Sequence, residues 1–308
     1  MFAGTTEHAA RVLQHLSSSI HEVVAVLTRT DAKVGRRALL TESPVAALAT
    51  SLGYPVIKAN SIDGSTLEQL EDYEPDLGVV IAYGSLLKRP ALDMPAKGWL
   101  NIHYSLLPKW RGAAPVQRAL QAGDHETGVT IFQLDEGMDS GPLLASVPTV
   151  IQPGESSGDL LNRLTTLGIS ALDESLSLVE SGLAKFSPQV GLPSIAPKIT
   201  RDDARISWLV SATEVECLVR AMNPEPGAWT MLAGEPFRIL EARALALRAD
   251  QFDFEKAQVV ASDKKILARC GSNTVLEIRQ VQPAGKSAMA AADWHRGAKN
   301  LESLTFNE

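Results

Sequence analysis

The feature that most constrains the fold is the regular alternation of apolar runs with amphipathic segments over the first 180 residues. The β-branched runs HEVVAVLTR (21–29) and DLGVVIAYG (76–84) are typical of buried parallel strands. Helical patterns separate such runs, as in SPVAALATSLG (43–53), where Ser43 is a predicted N-cap and Pro44 takes the first helical position. This alternation predicts an α/β domain with a Rossmann-like open parallel sheet and helices on both faces.

The pattern changes near residue 184. The stretch AKFSPQVGLPSIAPKITRDDA (184–204) is rich in Pro, Ser and Gly and has little periodicity. Short strand-like runs with Gly-containing turns follow it, and they predict a small C-terminal β-barrel of the OB-like type. We therefore expect a catalytic domain at 1–187, a linker at 188–204 and a β-barrel domain at 205–308.

Composition and charge narrow the class of protein. The chain has 308 residues, of which 45% are hydrophobic, and a formal net charge of −7, which excludes a globally basic nucleic-acid binder but not a local basic patch. No apolar run approaches the ~20 residues of a membrane-spanning helix, and MFAGTTEHAARVL lacks the pattern of a signal peptide. We expect a cytoplasmic monomer with no membrane partner. The two cysteines and the lack of CxxC or HExxH spacing predict neither a disulfide framework nor a metal site.

The most informative stretch is NIHYSLLPKWRGAAP (101–115), because a short apolar strand there carries two polar side chains. Asn101 and His103 alternate along the strand, so they share one face about 7 Å apart. At the carboxyl end of a parallel strand this face borders the crevice where open α/β sheets bind ligands. An amide can donate to a carbonyl oxygen, and an imidazole can transfer a proton near neutral pH.

A histidine that transfers protons needs a carboxylate to orient it, and the loop LDEGMDSGP (134–142) supplies three acidic residues. Of Asp135, Glu136 and Asp139, we favour Asp139 because it lies deepest in the loop. Its charge would fix the tautomer of His103 and raise the histidine pKa above about 6.5. Each of these side chains alone is also compatible with a turn or capping role, so the residues by themselves leave the reaction type open.

The motifs NIHYSLLPKWRGAAPVQRAL and GVTIFQLDEGMDSGPLL resemble those of the 10-formyltetrahydrofolate-dependent formyltransferase family. Further similar pieces extend from FAGT (2–5) to QPAGKSAM (282–289), so the resemblance covers nearly the whole chain. The C-terminal pieces, including NPEPGAW (223–229), are most similar to the tRNA-directed members. The resemblance implies transfer of a formyl group from the cosubstrate 10-formyltetrahydrofolate to the α-amine of methionine on initiator methionyl-tRNA, without a metal.

The resemblance also implies roles for the residues of the site. Asn101 and a protonated His103 would stabilise the oxygen of a tetrahedral intermediate, while Asp139 would hold His103 and help to move a proton from the attacking nitrogen. The folate-binding segment of the family matches Ser105, Leu106, Leu107 and Pro108. Tyr104 occupies a position that is commonly small, and strand alternation predicts that its side chain points away from His103.

The resemblance places tRNA contacts in the loop TRTDAKVGRRALLTES (28–43), which contains Arg29, Lys33, Arg36 and Arg37. Arg36 matches a family arginine, and Lys33 and Arg37 are further candidates for phosphate contacts. Because Ala38 and Leu39 replace frequent lysines, the loop is less basic than is usual. Four charges in one loop are also compatible with an ordinary solvated surface.

Four other functions are the alternatives. A formyltransferase for glycinamide ribonucleotide would not need the C-terminal domain, and one for an amino-sugar nucleotide would not need the Arg36 loop. A non-catalytic RNA-binding protein on the same scaffold would not need Asn101, His103 and Asp139 together. A nicotinamide dehydrogenase is disfavoured because FAGTTEHA lacks the G-x-G-x-x-G fingerprint.

Overall fold

A computed structural model describes residues 1–34, 38–62, 64–251, 257–262, 265–297 and 305–307. The chain forms two compact units. The first contains Met1–Pro115, Glu126–Val150 and Leu161–Pro197, and the second contains Val116–His125, Ile151–Leu160 and Lys198–Glu308. The second unit thus includes two short segments that precede residue 161. The predicted domain boundaries at 187/188 and 204/205 stay a prediction.

The first half of the chain alternates strands and helices, as predicted. The strands are β1 (Phe2–Gly4), β2 (Val26–Thr28), β3 (Ala32–Val34), β4 (Leu39–Thr41), β5 (Val56–Lys58), β6 (Gly78–Ile81), β7 (Trp99–His103), β8 (Glu126–Gln133) and β9 (Leu143–Val150). The helices are α1 (Glu7–Leu16), α2 (Pro44–Ser51), α3 (Gly64–Glu71), α4 (Arg89–Asp93), α5 (Pro115–Gln121) and α6 (Ser157–Glu180).

The main sheet has the strand order β5-β2-β1-β6-β7-β8-β9. The first five strands of this order are parallel, which confirms the Rossmann-like α/β class. The last two strands differ from the prediction, because β8 is antiparallel to β7 and β9 is antiparallel to β8. The connection from β8 to β9 is the loop 134–142, which contains no helix, and a parallel crossover needs a connection of a dozen or more residues.

Local sequence signals act as expected at α2 and in the core. The Ser43 hydroxyl accepts a hydrogen bond from the Ala46 amide at 2.9 Å, and Pro44 occupies the first turn of α2. Trp99 on β7 is 1% exposed and lies directly over Gly78, where a Cβ atom would be 2.0 Å from the indole. Full burial of one such side chain contributes roughly 1.5–3 kcal/mol, so β6 and β7 are held in register by this contact.

The second unit contains α7 and a predominantly antiparallel sheet. Its elements are α7 (Ala212–Ala221), β10 (Trp229–Leu232), β11 (Glu235–Arg248), β12 (Val259–Ser262), β13 (Lys265–Arg269), β14 (Thr274–Pro283), β15 (Met289–Ala290), α8 (Ala291–Gly297) and β16 (Phe306–Asn307). The order is β12-β13-β14-β11-β10-β16, with β15 on β14. Register shifts along the β11–β14 pair bend the long strands, which fits the predicted curled, barrel-like domain. Among the described residues, no helix has both the length and the apolar character needed to cross a bilayer.

Candidate active site

The candidate site is built on β7, which places Asn101 and His103 on one face. His103 is 6% exposed, and its Nε2 lies 2.9 Å from the carbonyl oxygen of Trp110. Since a carbonyl can only accept, Nε2 must carry the hydrogen of this bond. The other ring nitrogen, Nδ1, lies 3.6 Å from Oδ2 of Asp139, just outside hydrogen-bond distance. The structure thus brings His103 and Asp139 together, with Nδ1 not yet committed to a hydrogen bond.

Asp139 is held in place by one main-chain amide and one side-chain amide. The Gly112 amide donates to its Oδ2 at 2.7 Å, and the side-chain amide of Gln189 donates to its carbonyl oxygen at 2.8 Å. Asp139 has a φ of +49°, a left-handed conformation that non-glycine residues adopt only at a cost. Its side chain is 15% exposed, so the carboxylate is largely shielded beside the imidazole.

The other two acidic residues of the loop have separate partners. Asp135 accepts hydrogen bonds from the Gly137 amide at 3.1 Å and the Ser140 hydroxyl at 2.8 Å, so it stabilises the loop itself. Glu136 pairs with Arg89 at 3.4 Å between Oε1 and Nε. Of the three candidates, Asp139 is the one beside His103.

The antiparallel direction of β8 determines how the loop 134–142 reaches His103. Because β8 is antiparallel to β7, Gln133 at the carboxyl end of β8 lies opposite Leu100, near the amino end of β7. The loop 134–142 therefore has to fold back to reach His103. Gly141 permits this return, since a Cβ atom there would lie 1.8 Å from the Gln133 carbonyl oxygen.

The prediction that the pKa of His103 lies above about 6.5 is wrong. Burial lowers the pKa of His103, and the Asp139 charge and the Trp110 carbonyl only partly offset that shift. The imidazole is therefore neutral at pH 7 in the resting protein, with its hydrogen on Nε2. Its Nδ1 lone pair can accept a proton during a reaction.

The Asn101 side chain has no hydrogen-bond partner among the described residues. Its carboxamide is half-buried and forms no hydrogen bond with the side chain or main chain of any described residue. Asn101 can therefore donate to a substrate oxygen without breaking an existing contact.

The segment after β7 forms a tight turn around Thr130. The Thr130 hydroxyl donates to the Ser105 carbonyl at 2.6 Å and accepts from the Leu107 amide at 3.2 Å. Ser105 and Leu107 are buried, whereas Leu106 and Pro108 are partly exposed. Within the predicted folate segment, direct contact with a cosubstrate is thus available to Leu106 and Pro108, while Ser105 and Leu107 shape the turn.

Tyr104 behaves as strand alternation predicts. Its hydroxyl lies 2.9 Å from the Thr165 hydroxyl on α6, and its ring lies near Gly168 of the same helix. Burial raises the pKa of Tyr104 to about 12, so the phenol stays neutral. Tyr104 therefore connects β7 to α6 and does not enter the site.

The predicted tRNA loop is partly a hairpin, because β3 and β4 pair antiparallel. Lys33 lies on β3 with an exposed side chain. Arg29 donates to the Asn60 side chain at 2.8 Å and to the Gly84 carbonyl, so its guanidinium already has partners. Arg36 and Arg37 lie outside the described residues. No cluster of three or more His, Cys, Asp or Glu side chains in the described part of the chain could hold a metal ion.

The site thus combines a neutral imidazole, a shielded carboxylate and an amide that has no partner among the described residues. Such a set of groups suits group transfer coupled to proton movement. Comparison with known families identifies the group. Residues 1–176 match the protein family described as formyl transferase. Residues 198–299 match the family described as formyl transferase, C-terminal domain. The chain belongs to the formyltransferase family.

The curated relatives match the chain over its full length. The methionyl-tRNA formyltransferase of Arthrobacter sp. (strain FB24) is 45% identical over 306 residues, with 99% of both chains covered. That of Streptomyces coelicolor is 45% identical over 305 residues, with 98% of this chain and 97% of the relative covered.

Solved structures share the fold at low sequence identity. An N-formyltransferase from Helicobacter canadensis, in complex with folinic acid and dTDP-3-aminofucose, has a TM-score of 0.68 at 15% identity and covers 92% of this chain and 98% of its own. The sugar 3N-formyl transferase WlaRD has a TM-score of 0.66 at 15% identity, covering 93% and 97%. These similarities support the fold alone.

Proposed function

We propose that the protein transfers the formyl group of 10-formyltetrahydrofolate to the α-amine of methionine on initiator methionyl-tRNA, giving N-formylmethionyl-tRNA for translation initiation. The acceptor is supported by the full-length similarity, at 41–45% identity, to relatives named methionyl-tRNA formyltransferase. The chemistry is supported by the Asn101 amide, which bonds to no described residue and shares a face of β7 with His103, and by the His103–Asp139 pair. Such a substrate implies a cytoplasmic enzyme, and we expect it to act as a monomer.

In the proposed reaction the methionine nitrogen attacks the formyl carbon, and negative charge develops on the formyl oxygen. Asn101 donates a hydrogen bond to that oxygen, an interaction typically worth about 3–4 kcal/mol in the transition state. The developing negative charge raises the proton affinity of the neutral His103, so its Nδ1 takes up a proton and then donates to the same oxygen. The initial protonation state of His103 is thus neutral rather than charged.

The proton comes from the attacking nitrogen, and Asp139 relays it directly or through water. When the bond from the formyl carbon to N10 breaks, the same proton passes to N10, giving tetrahydrofolate. One C–N bond forms and one breaks, with no net oxidation or reduction. The role of Asp139 is then to carry the proton and to stabilise the transient imidazolium of His103.

Binding of the two substrates is proposed for separate segments. The turn Ser105–Pro108 would hold the folate, with Leu106 and Pro108 as the partly exposed contact residues. Lys33, Arg36 and Arg37 would contact tRNA phosphates, and the KM for tRNA should then rise steeply with salt.

The experiment is a panel of acceptors with the purified full-length protein and 10-formyltetrahydrofolate. Initiator methionyl-tRNA, elongator methionyl-tRNA, glycinamide ribonucleotide and a dTDP-linked amino sugar are incubated separately, and formylated products are identified by mass spectrometry. We expect product on the initiator tRNA and little on the others. Formylation of a small amine instead, by protein that leaves methionyl-tRNA untouched, would overturn the proposal. An Asp139→Asn protein is the control for residual non-enzymatic transfer.

A further inference from the structure

The segment 187–196, here named the strap, follows α6 and lies against both loops of the candidate site. Ser187 exchanges two main-chain hydrogen bonds with Leu143, at 2.7 and 2.9 Å. Ser194 accepts from the Arg111 amide at 2.8 Å, and the Ala196 amide donates to the Arg111 carbonyl at 2.7 Å. The sequence pattern indicated only a linker here, yet the strap is paired with the chain on both sides of the site.

Gln189 is the strap residue with the most complete set of polar contacts. Its Nε2 donates to the carbonyl oxygens of Asp139 and Gly141, at 2.8 and 2.9 Å. Its Oε1 accepts from Nε and Nη2 of Arg111, at 3.1 and 2.6 Å. A carboxamide has two donor hydrogens and two acceptor sites, and all four are used here.

These contacts determine where Asp139 can lie. Gly112 holds the carboxylate, and Gln189 holds the main-chain carbonyl of the same residue. A left-handed non-glycine residue persists only where its surroundings over-determine it, and these two contacts supply that constraint. Through Arg111, Gln189 also joins the Asp139 loop to the loop that carries Gly112.

We propose that Gln189 is a positioning residue for formyl transfer, which fixes the main chain of Asp139 so that its carboxylate faces Nδ1 of His103. The inference rests on the proposed function, because it concerns the step assigned to that pair. Gln189 itself touches no reacting atom. A displacement of about 1 Å in a group of this kind can lower a rate by 10²-fold.

The variants Gln189→Ala and Gln189→Glu separate positioning from simple support of the fold. Alanine removes all four hydrogen bonds, whereas glutamate keeps the acceptor for Arg111 and places an oxygen against the Asp139 and Gly141 carbonyls. We expect kcat to fall at least tenfold in both, with the KM for 10-formyltetrahydrofolate within twofold of wild type. Gln14→Ala is the matched control and should keep wild-type kcat, because the Gln14 side chain is exposed and, within the described residues, bonds only to the hydroxyl of Ser17 at the end of its own helix.

Two further readouts are specific to positioning. Among the described residues, Asp139 is the charged group that acts on the His103 ring, so a displaced Asp139 should lower the histidine pKa further, as followed by NMR. In an Asp139→Asn background, Gln189→Ala should cause no additional loss of kcat, since the group that it positions is already gone.

The outcomes distinguish this inference from the proposed function. Wild-type kcat together with an unchanged His103 titration in Gln189→Ala would overturn it, as would additive losses in the double variant. If alanine prevents folding, Gln189→Glu decides by the same criteria. If wild-type protein formylates no methionyl-tRNA, the proposed function fails, while the NMR titration still tests the effect of Gln189 on the His103–Asp139 pair.

Discussion

Burial and the nearby Asp139 carboxylate shift the pKa of His103 in opposite directions. Burial has the larger effect and lowers the pKa, so the ring is neutral in the resting protein and can accept a proton at Nδ1. The 3.6 Å separation from Asp139 leaves that atom available to substrate. The pair could be predicted from the sequence, but its initial charge could not, because the burial of His103, which is 6% exposed, cannot be read from a motif.

In wild-type protein the His103 imidazole should titrate below the usual value of about 6.5. Asp139→Asn removes the charge that raises the pKa, so the titration should move lower still. The NMR signals of the ring, assigned with a His103→Gln variant, measure both values.

The lowered pKa of His103 also makes the free energy of unfolding depend on pH. Between the folded and unfolded pKa values the unfolded chain binds more protons, so this residue lowers the free energy of unfolding as pH falls below about 6.5. Its full contribution is therefore present above that pH. A titration of His103 above 6.5 in wild type, or an upward shift in Asp139→Asn, would contradict the assignment.

At the scale of elements, the site depends on loops that approach each other closely. Gly112 has a φ of +122°, and a Cβ atom there would lie 2.7 Å from the carbonyl oxygen of Ala196 on the strap. The same residue donates its amide to Asp139. A side chain at this position would push the loop from the strap and move the donor that holds the carboxylate.

Gly112→Ala is accordingly expected to lower both stability and activity. The left-handed backbone alone costs an alanine roughly 1–3 kcal/mol, and the contact with Ala196 adds to it. Gly182→Ala is the matched control, because Gly182 has a φ of +71° and no atom of the described residues beyond its chain neighbours within 4 Å of its Cβ position. Chemical denaturation should show the larger loss at Gly112, and only that variant should lose kcat. Equal losses of stability at the two sites would refute the close approach.

Residues of the site that depend on a local pattern could be predicted from the sequence, whereas those that depend on long-range contacts could not. Asn101 and His103 follow from period-two alternation along one strand, which is a local property. The antiparallel direction of β8 depends on partners distant in sequence, so the path of the Asp139 loop could not be predicted from a local pattern. Gln189 lies in a stretch without periodicity, and its role depends on contacts to residues 111, 139 and 141, which no local pattern encodes.

At the scale of the whole molecule, two matched family domains account for most of the chain. The α/β class and the C-terminal β class were both predictable, because alternating strands and helices give way to short strands with turns near residue 184. The strap was not predictable as structure, since Pro, Ser and Gly in this stretch are equally typical of a linker. Its hydrogen bonds to the Arg111 loop make it part of the first unit.

In the proposed reaction, Asn101 is the donor to the oxyanion that develops during formyl transfer. The most direct measurement is the single-turnover rate of formyl transfer to initiator methionyl-tRNA by wild-type and Asn101→Ala proteins. Loss of one such donor should lower the rate by about 10²–10³-fold, while the melting temperature stays close to wild type because the Asn101 carboxamide bonds to no described residue. Transfer by Asn101→Ala at the wild-type rate would contradict the account.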